Sequence, residues 1–196
     1  AHLIETWLSA FQLSTGKGAA FVGAHVGRFH ASRVDGVPYL VNGNAGKTPS
    51  SEPGDGGFSG WSLIGVEPIG RGEQEQARRF PFRGGPTWIS AELRPHVDAL
   101  TIAAPDEVVV GSDAEVSAEV LQGERRVPVG YPMSARWRGG PRVHIGPVEE
   151  ARRSDVAAFD PATGLLTGLR AGTATLSVTV NDTTESVTVP VARPRK

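Results

Sequence analysis

Apolar residues at the start of the chain recur at three- and four-residue steps: Leu3, Ile4, Trp7, Leu8 and Phe11. That spacing lines one face of a helix, and Gly16 and Gly18 punctuate its end. The short apolar run Ala19 to Gly23 predicts a buried strand. A helix followed by such a strand predicts an α/β element covered on both sides. Asp35-Gly36 then sits between apolar flanks and predicts a hairpin turn, with Val37 to Val41 as the returning strand. Residues 43 to 60 are rich in Gly, Pro and Ser and read as a loop. Trp61 to Val66 and Thr87 to Arg94 read as strands, and residues 67 to 86 between them, with charged residues, Gly and Pro, as an exposed insertion or long hairpin tip.

From about Leu100 the pattern changes. Short runs recur at Glu115 to Leu121, Ser134 to Trp137, Val156 to Asp160, Thr173 to Val180 and Ser186 to Val191, with turn residues between them and no helical period. Regular short strands of this kind predict a β-sandwich. Thr175, Ser177 and Thr179 alternate with Leu176, Val178 and Val180, giving one wet and one buried face. Asn181-Asp182-Thr183 is a formal glycosylation sequon, for which a hairpin turn is sufficient explanation. The chain is therefore expected to be mainly β, with a boundary near residues 98 to 104 and a short hinge in Ala103 to Asp106.

Composition narrows the partners. With 196 residues the chain is long enough for one large domain or two small ones. A net charge of −1 gives no reason to expect nucleic acid or an anionic membrane. The absence of cysteine excludes disulfides and thiolate chemistry. No run approaches the roughly 18 apolar residues of a membrane span. The chain opens on Ala1-His2-Leu3, without an initiating Met or a signal peptide, and reads as a fragment or processed product.

The stretch Gly43 to Thr48, GNAGKT, ends like a phosphate-binding loop. Such a loop needs Gly five positions before its Gly-Lys pair. Val41 stands there, and Pro49, Pro53 and Gly54 follow instead of a helix. A nucleotide loop is thereby excluded. Ser-His-Asp chemistry lacks its Gly-x-Ser-x-Gly elbow. The histidines show no zinc spacing. Trp61 and Trp88 read as packing residues first and ligand-stacking residues second.

The second half, in TIAAPDEVVVGSDAEVSAEV, Trp137 and VAAFDPATGLLTGLRAGTATLSVTV, resembles the group 2 bacterial Ig-like domain. It departs from that pattern in a longer, Arg-rich stretch from Arg138 to Arg153. Arg125-Arg126 and Arg152-Arg153 read as solvated turn charges. The first half, in LIETWLSAF, AAFVG and AHVGRFHASRVDGVPYLVNGNAG, resembles the C-terminal part of a calcineurin-like metallophosphoesterase. That family's apolar strand ends in Gly-His-x-His, and the His pair ligates a dinuclear metal centre that activates water. Aligned in this way, His25 matches the first His and Gly27 stands in place of the second, while His30 would substitute if the loop bends back.

The resemblances imply residues 1–99 as the last portion of an α/β metallophosphoesterase sandwich, one helix plus strands, and residues 100–196 as an Ig-like β-sandwich. The implied metal ligands are His25 and His30. Asn44 and Lys47 would face a phosphate-ester substrate, or Lys47 would simply be solvated. No catalytic residue is implied in this chain, because the family's Asp-x-His, Gly-Asp-x-x-Asp and Gly-Asn-His motifs are not in it. An upstream segment or chain of the same protein would complete a centre for divalent metal ions. The implied function is that of the C-terminal part of a secreted or surface-attached bacterial phosphoesterase, inactive without the upstream segment. The alternative is a noncatalytic extracellular binding or structural module.

Overall fold

The structure, a computed structural model, describes residues 2–66 and 88–194. The insertion expected at 67 to 86 lies outside them. The described residues are mainly β, with a single α-helix among them. They form two compact units. The first holds residues up to His96 together with Tyr131–Ser134, and the second holds Val97–Gly130 and the chain from Ala135 onward. The segment expected as a hinge, Ala103 to Asp106, lies inside the second unit.

In the first unit, α1 (His2–Thr15) precedes β1 (Phe21–Gly23), β2 (His30–Val34), β3 (Val37–Val41), β4 (Gly60–Val66) and β5 (Ile89–Pro95). One sheet has the order β1-β3-β2. In it β1 runs parallel to β3, with Phe21 opposite Tyr39, and β2 runs antiparallel to β3. The β2–β3 turn is the predicted Asp35-Gly36, at φ 49 and φ 81. Two successive left-handed residues match the twist of a tight hairpin, which is why the pair is favoured there. β4 and β5 form a separate antiparallel ribbon. Val37, Leu40, Phe29, Phe58, Ala91 and Leu93 are buried.

The helix does not pack as its periodicity predicts. Ser9 is its buried residue, and the Ser9 hydroxyl donates to Asp35 Oδ2 at 3.4 Å. Gln12, one turn on, reaches Gly36. The polar side therefore meets the hairpin turn. Most of the apolar stripe faces away, leaving Leu3 83% and Trp7 66% exposed, with Trp7 and Phe11 stacked on one another at 6.2 Å, while Leu8 is half-buried beside Ser9. Val22 of β1 is also exposed, so the expected two-sided cover is not formed.

In the second unit, β6 (Ala99–Ala103), β7 (Val108–Val109), β8 (Asp113–Glu115), β9 (Ser117–Gln122) and β10 (Arg125–Pro128) come first. Then follow β11 (Ala135–Gly139), β12 (Val143–Ile145), β13 (Ala157–Asp160), β14 (Leu165–Gly168), β15 (Gly172–Val180) and β16 (Thr183–Ala192). Two four-stranded sheets, β11-β15-β16-β7 and β12-β13-β14-β8, share one core, and β10-β9-β6 forms a third sheet. The core gathers Val156, Phe159, Leu166, Leu176, Val189 and Val191, with Trp137 packed against them. In β15 the predicted alternation holds, with Leu176, Val178 and Val180 fully buried.

Asp160 builds the β13–β14 reversal. Its carboxylate accepts from the Ala162 amide at 2.9 Å, and Gly164 takes φ 75. The run expected as one strand from Glu115 to Leu121 breaks at Val116, because β8 pairs with β14 whereas β9 pairs with β6 and β10. Arg125 and Arg126 lie on a strand rather than a turn, and Arg126 is ion-paired to Glu119 at 3.1 Å.

Candidate functional site

Because β1 and β3 are parallel, their C-terminal ends share one edge. The chain leaves β1 through residues 24 to 29 and leaves β3 through residues 42 to 59. Hydrogen bonds join the two exits. The Asn42 amide donates to Gly23 O at 2.8 Å, and the Ser50 amide to Gly27 O at 3.0 Å. The Ser50 hydroxyl donates to Val26 O at 2.7 Å, and Asn44 Nδ2 to Gly27 O at 2.8 Å.

Below this rim, Phe29 and Phe58 stack at 4.5 Å with planes 12° apart, and both are buried. Glycine is needed where the chain crosses that pair. A Cβ on Gly43 would lie 2.6 Å from Phe29 Cε2. The Phe29 amide donates to Gly56 O at 2.8 Å. The Ser62 hydroxyl of β4 donates to Asn42 Oδ1 at 2.7 Å, so the ribbon also fixes the start of the β3 exit.

His25 is exposed on left-handed backbone, φ 82, just past the end of β1. Such a conformation is uncommon for a residue with a Cβ. Lys47 is exposed in the β3 exit loop. His30 opens β2, half-buried, opposite Val41 at the end of β3. Asn44 is buried, 7% exposed, and its amide is committed to Gly27. The four nominated residues thus belong to the same strand edge, and three of them reach solvent. No α-helix follows Thr48, where a phosphate-binding loop would have one.

Trp88 packs over Gly18, where a Cβ would meet its indole Nε1 at 2.6 Å. Trp61 is half exposed, with the Arg94 guanidinium 5.1 Å from its ring centroid. Arg94 is in turn held by Glu92 at 2.6 Å. Ser50 and the Asn42–Ser62 bond were invisible to sequence reasoning. The signal that pointed nearest them was Gly at 27 and 43, where close approach leaves no room for a side chain.

A dinuclear centre needs several carboxylate and imidazole ligands. Among the described residues no three His, Asp or Glu side chains converge to hold a metal ion. These residues alone therefore do not fit such a centre. Gly27 adds a local reason. It sits at φ 72, and a Cβ there would overlap Ser50 Oγ and lie 2.8 Å from Ser50 Cβ. A histidine at that position requires the Ser50 loop to move. What the edge does present is the exposed His25 imidazole and Lys47 ammonium on a glycine-rich rim, with Arg28, Glu52 and Asp55 exposed on the same two exits.

Asn44→Ala removes the side-chain donor to Gly27 and is expected to cost about 1–2 kcal/mol. Amide exchange in residues 24 to 29 and 44 to 50 should accelerate while β15 and β16 stay protected. Unchanged exchange in both loops would show that Asn44 does not tie them.

No helix among the described residues is long and apolar enough to cross a membrane. No family model matches the chain, and no characterised protein matches its sequence.

Proposed function

We propose that residues 1–196 are the C-terminal part of a secreted metal-dependent phosphoesterase, inactive without ligands supplied from outside them. The observation carrying this reading is the edge where β1 and β3 end in parallel, with His25 and Lys47 exposed on exit loops bonded to one another. Ligands in open α/β sheets gather at the carboxyl ends of strands. The exposed Leu3–Trp7 stripe of α1 supports an upstream segment as the missing cover. In this reading residues 1–99 are the last elements of a metallophosphoesterase sandwich, and residues 100–196 are a group 2 Ig-like domain. The paired four-stranded sheets around Phe159 suit the Ig-like assignment. The chain contributes an imidazole and a glycine-rich rim, and no hydrolytic step is assigned to its own side chains.

Joining residues 1–196 to the upstream coding segment is expected to give metal-dependent hydrolysis of a chromogenic phosphodiester, and the chain alone none. In the longer protein His25→Ala should lower the rate about 100-fold, as loss of a ligand or its support does. An undiminished rate would remove His25 from the site.

A noncatalytic extracellular module is the second reading, favoured by Gly27, whose contact with Ser50 leaves no room at that position for the family's second His unless the Ser50 loop moves. It predicts background metal content in the longer protein as well.

A further inference from the structure

The Arg-rich stretch that departs from the Ig-like pattern has a definite place in the second unit. β11 is an edge strand, paired with β15 so that Arg136 lies opposite Thr179 and Arg138 opposite Ser177. Trp137, between them, turns inward to Phe159 at 4.7 Å, so both arginines project from the outer face. The same face continues across β15 and β16 as hydroxyl rows. Thr179 meets Thr184 at 2.9 Å, Ser177 lies opposite Ser186, and Thr175 meets Thr188 at 3.3 Å.

Beyond β11 the chain stays beside this sheet, since the Gly140 amide donates to Thr175 O at 2.9 Å. Further arginines gather past the end of β11, at the corner around Val156 rather than on the outer face itself. Arg142 Nη2 lies 3.8 Å from the Cβ position of Gly172, at the start of β15. Arg170 Nη2 donates to Arg153 O at 2.9 Å, and both Arg142 O and the Arg170 amide bond to Val156. All five of these arginines are exposed. Among the described residues none of the five is ion-paired to a carboxylate.

Charges on an edge strand discourage edge-to-edge pairing. That accounts for Arg136 and Arg138 but not for Arg142, Arg153 and Arg170 at the corner. Unpaired like charges repel, and a bound polyanion relieves that repulsion.

We propose that the outer face of β11, β15 and β16, with the Arg142–Arg153–Arg170 corner, binds an acidic polysaccharide. Guanidinium groups take carboxylates or sulfates as paired hydrogen bonds, and the Thr and Ser rows offer donors and acceptors to sugar hydroxyls. Strands about 4.8 Å apart, with like-facing residues about 6.7 Å apart along each, make a flat lattice for an extended chain. The aromatic ring of β11 turns inward against the core, so the outer face lacks the stacking platform that single-stranded nucleic acids use. The proposal stands independently of the phosphoesterase reading, because it uses only the second unit.

The test titrates the whole chain with polygalacturonate, uncharged dextran, DNA and anionic phospholipid vesicles at low ionic strength. Polygalacturonate should bind, weaken steeply with added salt, and outcompete the other three. Arg136→Gln with Arg138→Gln should weaken binding about tenfold, the loss of roughly one charge-assisted contact. Arg142→Gln with Arg153→Gln should do the same from the corner. Arg125→Gln with Arg126→Gln on β10 should leave it unchanged. Thermal midpoints should match the parent, since every altered side chain is exposed or half-buried at the surface. The proposal is overturned if polygalacturonate does not bind, if DNA or vesicles bind more tightly, or if the β10 variant loses as much as the other two.

Discussion

Replacing Gly56 with alanine is expected to cost the first unit about 4 kcal/mol or more, in the range reserved for named structural faults. Three terms add. Gly56 has φ 79, which strains any residue carrying a Cβ. The added Cβ would overlap the carbonyl oxygen of Phe29 and lie 2.9 Å from its carbonyl carbon. Both obstacles are backbone and cannot rotate away. Opening the gap breaks the bond from the Phe29 amide to Gly56 O, leaving a donor beside a buried ring without its partner. The Phe29–Phe58 stack under the candidate site then loses its fixed spacing. Gly46→Ala serves as the comparison, since a Cβ there meets nothing within 4 Å. Thermal unfolding followed with site-resolved hydrogen exchange should show early loss of β2, β3 and their loops in the Gly56 variant only. Equal melting of the two variants would mean that the overlap is absorbed without cost.

Phe159→Ala is expected to cost the second unit about 3–5 kcal/mol. The ring is 1% exposed and sits 4.7 Å from Trp137, tilted by 57°. Its strand pairs with β14 through Leu166 and with β12 through Ile145. Removal leaves a cavity bounded by two sheets, neither free to collapse because each is pinned by its own ladder. The aromatic pair contributes a further 1 kcal/mol or so. Leu165→Ala, one strand away at 40% exposure, should change stability by no more than about 0.5 kcal/mol. Calorimetry of the three proteins distinguishes the two sites. A small loss at Phe159 would mean that the sheets close over the gap.

How much was legible differs from element to element. The Asp35-Gly36 hairpin was readable because its turn demands left-handed backbone, and few residue pairs supply it cheaply. Likewise the Asn181-Asp182 reversal forms a two-residue turn, with Asn181 at φ 53. The alternation in β15 was readable because a strand buried on one face leaves a period of two.

The orientation of α1 was not readable. Periodicity shows which side of a helix is apolar, but not what lies beside it. The break at Val116 was hidden because a strand that changes sheets keeps its alternation, and Val116 is buried as either strand would require. At the candidate site, His25 came into view through family resemblance, and its place at the strand end follows from the parallel pairing. The role of Asn44 stayed hidden. A side-chain amide bonded to a carbonyl 17 residues away leaves no trace in local spacing.

The four residues Tyr131–Ser134 have a consequence for any attempt to divide the molecule. They belong to the first unit, although the residues on either side belong to the second. Met133 is 2% exposed, and Ser134 exchanges two hydrogen bonds with Leu93, its amide to Leu93 O at 2.9 Å and its hydroxyl from the Leu93 amide at 3.0 Å. A single scission near residue 99 therefore frees no self-sufficient half: the leading piece surrenders part of its own interior. Gene fusions that transplant the trailing piece as a cassette would carry off a stitch belonging to what they leave behind.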